Sequence, residues 1–92
     1  MVTSQSEHKW EFTLDNKKIY IIITINIESN EKKIIYNNET ILEKRNDNKF
    51  DKFNFFRDGH NYKIIQRGDI FELFINEIFT NFFNYFFVCK NF

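Results

Sequence analysis

In Ile19-Tyr20-Ile21-Ile22-Ile23-Thr24-Ile25-Asn26-Ile27, isoleucine takes every odd position while the even side turns polar at Thr24 and Asn26. Period two with one polar side is the pattern of a half-buried strand, and branched side chains suit a pleated surface. Upstream, Trp10, Phe12 and Leu14 alternate with Lys9, Glu11 and Thr13, which predicts a second strand over His8–Leu14. Asp15-Asn16-Lys17-Lys18 between the two reads as a turn, and Glu28-Ser29-Asn30-Glu31 ends the isoleucine strand with another.

Downstream, Ile34-Ile35-Tyr36 and Thr40-Ile41-Leu42 flank Asn37-Asn38-Glu39, where asparagine tolerates the positive φ of a tight hairpin. A charged loop over residues 43–48 leads to Phe50, Phe53, Phe55 and Phe56. Asp58-Gly59 then turns the chain into Tyr62-Lys63-Ile64-Ile65, and Arg67-Gly68-Asp69 turns it into Ile70–Ile75. The sum is a mainly β fold, an antiparallel sandwich or open barrel of about seven to eight short strands. Two hairpins resemble each other: Ile35–Ile41 and Phe74–Phe79 each place Asn and Glu between apolar strand ends. The match is short, and similar turn chemistry reached twice explains it as well as a duplication does.

From residue 75 onward the period changes. Ile75, Phe79, Phe82, Phe83, Phe86 and Phe87 recur at steps of three and four, with Thr80, Asn81 and Asn84 opposite. This fits a short C-terminal amphipathic helix, but Phe and Asn are poor helix formers, and a final strand is the alternative. The chain is a single β-rich domain over residues 1–92, with 1–7 as an N-terminal extension and 78–92 as an aromatic C-terminal segment.

Composition narrows the function classes. The 92 residues include 13 Phe, no Pro or Ala and only two Gly, and the codons of the abundant Asn, Ile, Lys and Phe are A/T-rich, so part of this bias is mutational. Thirteen basic residues balance thirteen acidic ones, which removes the large positive field that drives nucleic-acid association. Cys89 is the only cysteine, so no internal disulfide forms, and a reducing cytoplasmic setting is expected. The longest apolar stretch is interrupted by Asn81 and Asn84 and is too short for a spanning helix, so no membrane partner is expected.

The segment Ser29-Asn30-Glu31-Lys32-Lys33-Ile34-Ile35-Tyr36-Asn37-Asn38-Glu39 resembles the Ser-Gly-Lys-Arg-apolar-apolar-Tyr stretch before an Asp-Gly hairpin in Fas apoptotic inhibitory molecule domains. Trp10-Glu11-Phe12 and the later series ending at Phe79 follow the same strand order over residues 8–80. Asn30 and Asn38 stand where that family has glycine. The resemblance implies an all-β, non-enzymatic module that acts through protein contacts, and it transfers no binding residue.

No motif identifies a reaction, so the chain reads as a binding protein and not an enzyme, with no cofactor, no metal site and no small-molecule substrate. The pair Asp58-Gly59-His60 could orient a base, but with His8 the only other histidine, a turn histidine is the ordinary reading. Cys89 among Phe86, Phe87 and Val88 reads as a packed thiol. Gly59 and Gly68 are isolated turn glycines and form no phosphate loop, and Arg67-Gly68-Asp69 is a turn before it is an adhesion signal. Lys17, Lys18, Lys32, Lys33, Lys44 and Arg45 fall in or beside predicted turns and are candidates for contact with an RNA backbone if they gather at one end of the sheet; a solvated rim is the alternative. Phe82, Phe83, Phe86, Phe87 and Phe92 are candidates for a protein interface, with core packing as the alternative. The leading expectation is a small accessory factor of a larger cytosolic assembly, extending to a ribosome or other ribonucleoprotein with rRNA backbone contacts. A free interaction regulator of the kind the resemblance implies and a barrel for an apolar ligand are the alternatives.

Overall fold

A computed structural model describes residues 5–79 and 87–91. These form nine strands and no helix: β1 (Gln5–Leu14), β2 (Lys17–Asn26), β3 (Glu31–Tyr36), β4 (Glu39–Arg45), β5 (Phe50–Arg57), β6 (His60–Arg67), β7 (Ile70–Ile75), β8 (Ile78–Phe79) and β9 (Phe87–Asn91). They pair into two sheets, β4-β3-β2-β1-β9 and β5-β6-β7-β8. All pairings are antiparallel, and both sheets are open. The chain divides into two compact units, Met1–Asp47 with Phe86–Phe92, and Asn48–Tyr85.

In the first unit the odd isoleucines do what their spacing requires. Ile19, Ile21 and Ile23 are buried together with Trp10 and Phe12 of β1 and Ile34 and Tyr36 of β3. The register sets Trp10, Ile21 and Tyr36 side by side across three strands, with His8, Ile23, Ile34 and Leu42 in the next row. Each such isoleucine is worth about 1.5–3 kcal/mol relative to an exposed one. A shift of register between Ile34 and Ile35 bulges the edge strand β4.

Several boundaries move. The first turn is Asp15-Asn16 alone, both at positive φ (53° and 62°), so Lys17 and Lys18 belong to β2. Strand β1 begins at Gln5, inside the stretch read as an extension. Ile27 leaves the ladder because Asn26 Oδ1 accepts the N–H of Glu28 (3.0 Å) and of Ser29 (3.1 Å), which turns the chain locally. Strand β4 continues through Arg45 into the stretch expected to be loop. At the C-terminus, Ile75 lies in β7 and Phe79 in β8, while Phe87–Asn91 forms the final strand that was the alternative to a helix. The helical reading of residues 80–86 lies outside the described residues.

In the second unit, β5 to β7 bury one face. Phe53, Ile64 and Leu73 form one buried row, and buried Tyr62 and Ile75 with half-buried Phe55 form the next. The rings of Phe55 and Tyr62 stack at 5.0 Å, with 16° between planes.

The two units share one plan. Each opens with a hairpin closed by a two-residue turn beginning with Asp, Asp15-Asn16 in one and Asp58-Gly59 in the other, with φ positive at both turn residues. Each continues through a second turn into a six-residue third strand, β3 or β7. Each then turns at an Asn that makes the same double hydrogen bond. Asn37 N–H donates to Tyr20 O (2.9 Å) while its Oδ1 accepts Tyr20 N–H (2.8 Å). Asn76 N–H donates to Asn61 O (2.8 Å) while its Oδ1 accepts Asn61 N–H (2.9 Å). Register repeats with it: Ile21↔Tyr36 and Ile23↔Ile34 correspond to Tyr62↔Ile75 and Ile64↔Leu73. The likeness of two short hairpins in the sequence therefore extends over two three-stranded meanders.

This clasp ties a turn to the strand beyond its own hairpin and carries positive φ of 46° at Asn37 and 51° at Asn76. Asn37→Ala loses the side-chain bond and strains the left-handed backbone, and is expected to cost about 2 kcal/mol. Asn37→Gly loses only the bond and is expected to cost about 1 kcal/mol. Urea midpoints of the two variants against the parent measure the difference; equal losses would show that the backbone strain is not there.

Candidate functional site

Register places the basic residues at opposite ends of the first sheet. Lys17 and Lys18 follow the β1–β2 turn. Lys32, Lys33, Lys44 and Arg45 lie at the far end, where Glu31 faces Arg45 and Lys32 faces Lys44. Lys18 and Ile25, the neighbour of Lys32, are separated along β2 by about 23 Å at about 3.3 Å per residue. One phosphate cluster from all six is therefore not formed.

Four remain together, and their surroundings are not those of a phosphate site. Lys32 alternates with Ile34 and Tyr36 onto the buried face and is 2% exposed; it is held there by its own interactions. Lys33 Nζ sits 3.6 Å from Glu31 Oε1, and Arg45 Nη2 3.7 Å from Glu31 Oε2, with Glu43 directly across from Lys33. At the other end, Lys18 Nζ meets Glu11 Oε1 at 3.9 Å. Exposed pairs of this kind contribute little stability, but they cancel the local field that would attract a polyanion.

Of the aromatic C-terminal candidates, Phe82, Phe83, Phe86 and Phe92 lie outside the described residues. Phe87 begins β9 opposite Phe12, and Cys89 is opposite Trp10. His60, expected in the turn, is instead the first residue of β6, directly after the Asp58-Gly59 turn, and has a structural task. Asn76 Oδ1 is committed to the Asn61 N–H, so Asn76 Nδ2 donates to His60 Nδ1 at 2.8 Å and uses the imidazole as an acceptor. Among the described residues no three His, Cys, Asp or Glu side chains come close enough to hold a metal ion, and no helix is long and apolar enough to cross a membrane.

The most prominent unclaimed surface is the outer face of the second sheet. Because Phe53 and Phe55 turn to the buried face, alternation sends Phe50, Lys52, Asn54 and Phe56 to the other. Phe50 is 76% exposed and Phe56 58%. On the same face, Phe50, Arg67 and Ile70 form one cross-strand row, and Ile70 is 66% exposed. Arg67 Nε is fixed by Glu72 Oε1 at 2.8 Å. An open depression of about 560 Å³ runs beside this row, lined by Phe50, Asp51, Lys52, Ile65, Gln66 and Arg67. Gln66 Nε2 donates to Gly68 O (3.1 Å), and Gly68 N–H to Lys49 O (2.6 Å), which fixes the floor at that end.

Toward the opposite end of the face, Lys63 bridges two partners. Its Nζ is 2.9 Å from Glu77 Oε2 and 5.0 Å from the centre of the Phe74 ring. A second open depression of about 380 Å³ lies here, with Asn54, Phe56, Asn61 and Lys63 in its lining. Lys52 makes no ion pair among the described residues. The face thus combines exposed aromatic and aliphatic groups with an oriented arginine and an available lysine. Sequence reasoning passed over these residues, although the parity of Phe50 and Phe56 against Phe53 and Phe55 was the signal that could have found them.

Compared with protein-family models, curated proteins and solved structures, the chain matches none.

Phe50→Ser and Ile70→Ser, both on the outer face, are expected to change the unfolding free energy by no more than about 0.5 kcal/mol. Phe53→Ala, three residues from Phe50 and 1% exposed, is expected to cost about 3–5 kcal/mol. Chemical denaturation of the three variants checks the assignment of faces.

Proposed function

We propose that the chain is a non-enzymatic binding protein, a small accessory subunit of a larger cytosolic assembly, which docks onto a partner protein through the outer face of its second sheet. The observation that carries this reading is the Phe50-Arg67-Ile70 row, in which two strongly exposed apolar side chains flank an arginine already aimed by Glu72. Aromatic residues and arginine are enriched at the centres of protein interfaces, and adjoining exposed apolar groups are costly to leave in water.

The chemistry of the face indicates what covers it. A partner offering apolar side chains to Phe50 and Ile70, with a carboxylate in reach of Lys52, suits the groups that the fold leaves open at that end of the face. A phosphate backbone would satisfy Lys52 but leave the apolar pair exposed. The glutamates beside Lys18, Lys33 and Arg45 also oppose a phosphate partner on the first sheet. The single cysteine is the ground for placing the assembly in the cytosol.

Sedimentation of native lysate tests the proposal. The parent chain is expected to travel with a particle much larger than its own 11.4 kDa, with or without nuclease. The Phe50→Ser/Ile70→Ser variant, folded as judged by its circular dichroism, is expected to stay at the top of the gradient. Unchanged migration of the variant would overturn the docking face, and release of the parent by nuclease would overturn a protein partner.

A further inference from the structure

Among the described residues, the second sheet has a long, regular edge in β5, which carries Asp51, Lys52 and Arg57 but no bulge. Exposed strand edges are templates for pairing, and folds blunt them with bulges, shortness or charge. In the first sheet, β4 carries the bulge at Ile34/Ile35 together with Glu39, Glu43, Lys44 and Arg45. Strand β8 has only two residues and β9 five. By contrast, β5 runs eight residues in unbroken register with β6.

Its free groups can be assigned from the turn. Across a two-residue hairpin loop the flanking residues form a hydrogen-bonded pair, and bonded and non-bonded pairs then alternate. Arg57 and His60 flank Asp58-Gly59, so Arg57, Phe55, Phe53 and Asp51 bond β6. The N–H and C=O groups of Lys52, Asn54 and Phe56 therefore point away from the sheet. The Lys52 N–H bears this out, since it donates to its neighbour's carboxylate, Asp51 Oδ1, at 2.9 Å and not to β6. All three residues are exposed.

The first unit shows how an edge of this kind is occupied. In the shared plan β5 corresponds to β1, and β1 is paired on its outer side with the antiparallel strand β9 along residues 8–12. The corresponding stretch of β5 is residues 53–57, and no described strand covers it.

From these observations we infer that β5 pairs antiparallel with β5 of a second copy, forming a two-fold dimer in which the two four-stranded sheets become one. A two-fold axis perpendicular to the sheet keeps outer face beside outer face, so a residue can only oppose one of its own parity. With Asn54 facing the partner's Asn54 on the axis, Lys52 faces the partner's Phe56 and Asp51 faces the partner's Arg57. This register makes two symmetric Asp–Arg pairs and two Lys–Phe contacts, sets no like charges opposite each other, and forms about six backbone hydrogen bonds, for which the Lys52 N–H exchanges Asp51 Oδ1, and the Phe56 C=O exchanges Arg57 Nη1 at 3.5 Å, for the ladder of the other copy. Sliding by two residues to centre on Phe53 sets Asp51 against Phe55 and leaves Arg57 beyond the ladder. Charge complementarity selects the register centred on Asn54. The exposed Phe56 ring gains its cover from Lys52 of the other copy.

The dimer is a property of the purified chain and is tested apart from the docking proposal, which concerns a different protein and the Phe50-Arg67-Ile70 row; only Lys52, at the margin of that row, is used by both. Sedimentation equilibrium is expected to give twice the chain mass for the parent. Asp51→Lys and Arg57→Glu each create two like-charge oppositions, and each variant alone is expected to associate at least about tenfold more weakly. Mixed in equal amounts, the two variants form a heterodimer in which both pairs are again opposite in charge, and association is expected to return to the parental strength. A hydrogen-exchange series on the parent supplies a measurement independent of any variant: the amides of Lys52, Asn54 and Phe56 gain protection as concentration rises. A monomeric parent, single variants that dimerise like the parent, failure of the mixture to restore association, or protection at those amides independent of concentration would each overturn the inference.

Discussion

Two-residue turns in the left-handed region set the register on which both sheets depend. In a strand, a slip of one residue exchanges the buried and exposed faces entirely. The turns at Asp15-Asn16, Asn37-Asn38, Asp58-Gly59 and Asn76-Glu77 leave no slack for such a slip, because both residues of each hold positive φ. At Asn37 and Asn76 the side chain adds a bond to the next strand over, so that a hairpin turn and its neighbouring strand are aligned by one residue. With register fixed, Ile21 must fall beside Trp10 and Tyr36, and Phe50 must fall beside Arg67 on the other face of its sheet.

The parts of this fold readable from the sequence are those in which periodicity and turn chemistry agree. The isoleucine alternation of β2 and the asparagine hairpin after Tyr36 are examples. Lys17 and Lys18 were misplaced because a pair of lysines after Asp-Asn has turn-like polarity, whereas the backbone needs only two residues to reverse. Lys32 shows a different limit: it alternates correctly with Ile34 and Tyr36, and its charge alone argued for the surface. The apolar docking face was hidden by abundance, since four phenylalanines within Phe50–Phe56 read as one hydrophobic block until parity divides them. The equivalence of the two meanders was only hinted at by a short match, because it resides in hydrogen bonds and register and not in residue identity.

The shared plan carries two unlike outer surfaces. On the first sheet, Lys18 pairs with Glu11, Lys33 and Arg45 share Glu31, and Lys9 Nζ lies 5.7 Å from the centre of the Tyr20 ring. The large exposed apolar residues are concentrated in the second unit as Phe50, Phe56, Ile70 and Ile78, with Ile27 in the first. One scaffold thus presents a self-satisfied charged surface and, in its second version, a surface whose groups call for another molecule.

The pairing of β9 with β1 also dictates an order of assembly. The other neighbouring pairs in each sheet join strands that are consecutive in sequence, whereas Phe12 meets Phe87 only after nearly the whole chain has been looped back. Closing a loop is entropically dearer the longer it is, by about 0.6 kcal/mol for each doubling of length, and long-range pairings form slowly for that reason. The hairpins therefore close locally first, and β9 is the last strand to find its place. Until it does, β1 is an open edge like β5, one long edge more than the described strands leave once β9 is in place.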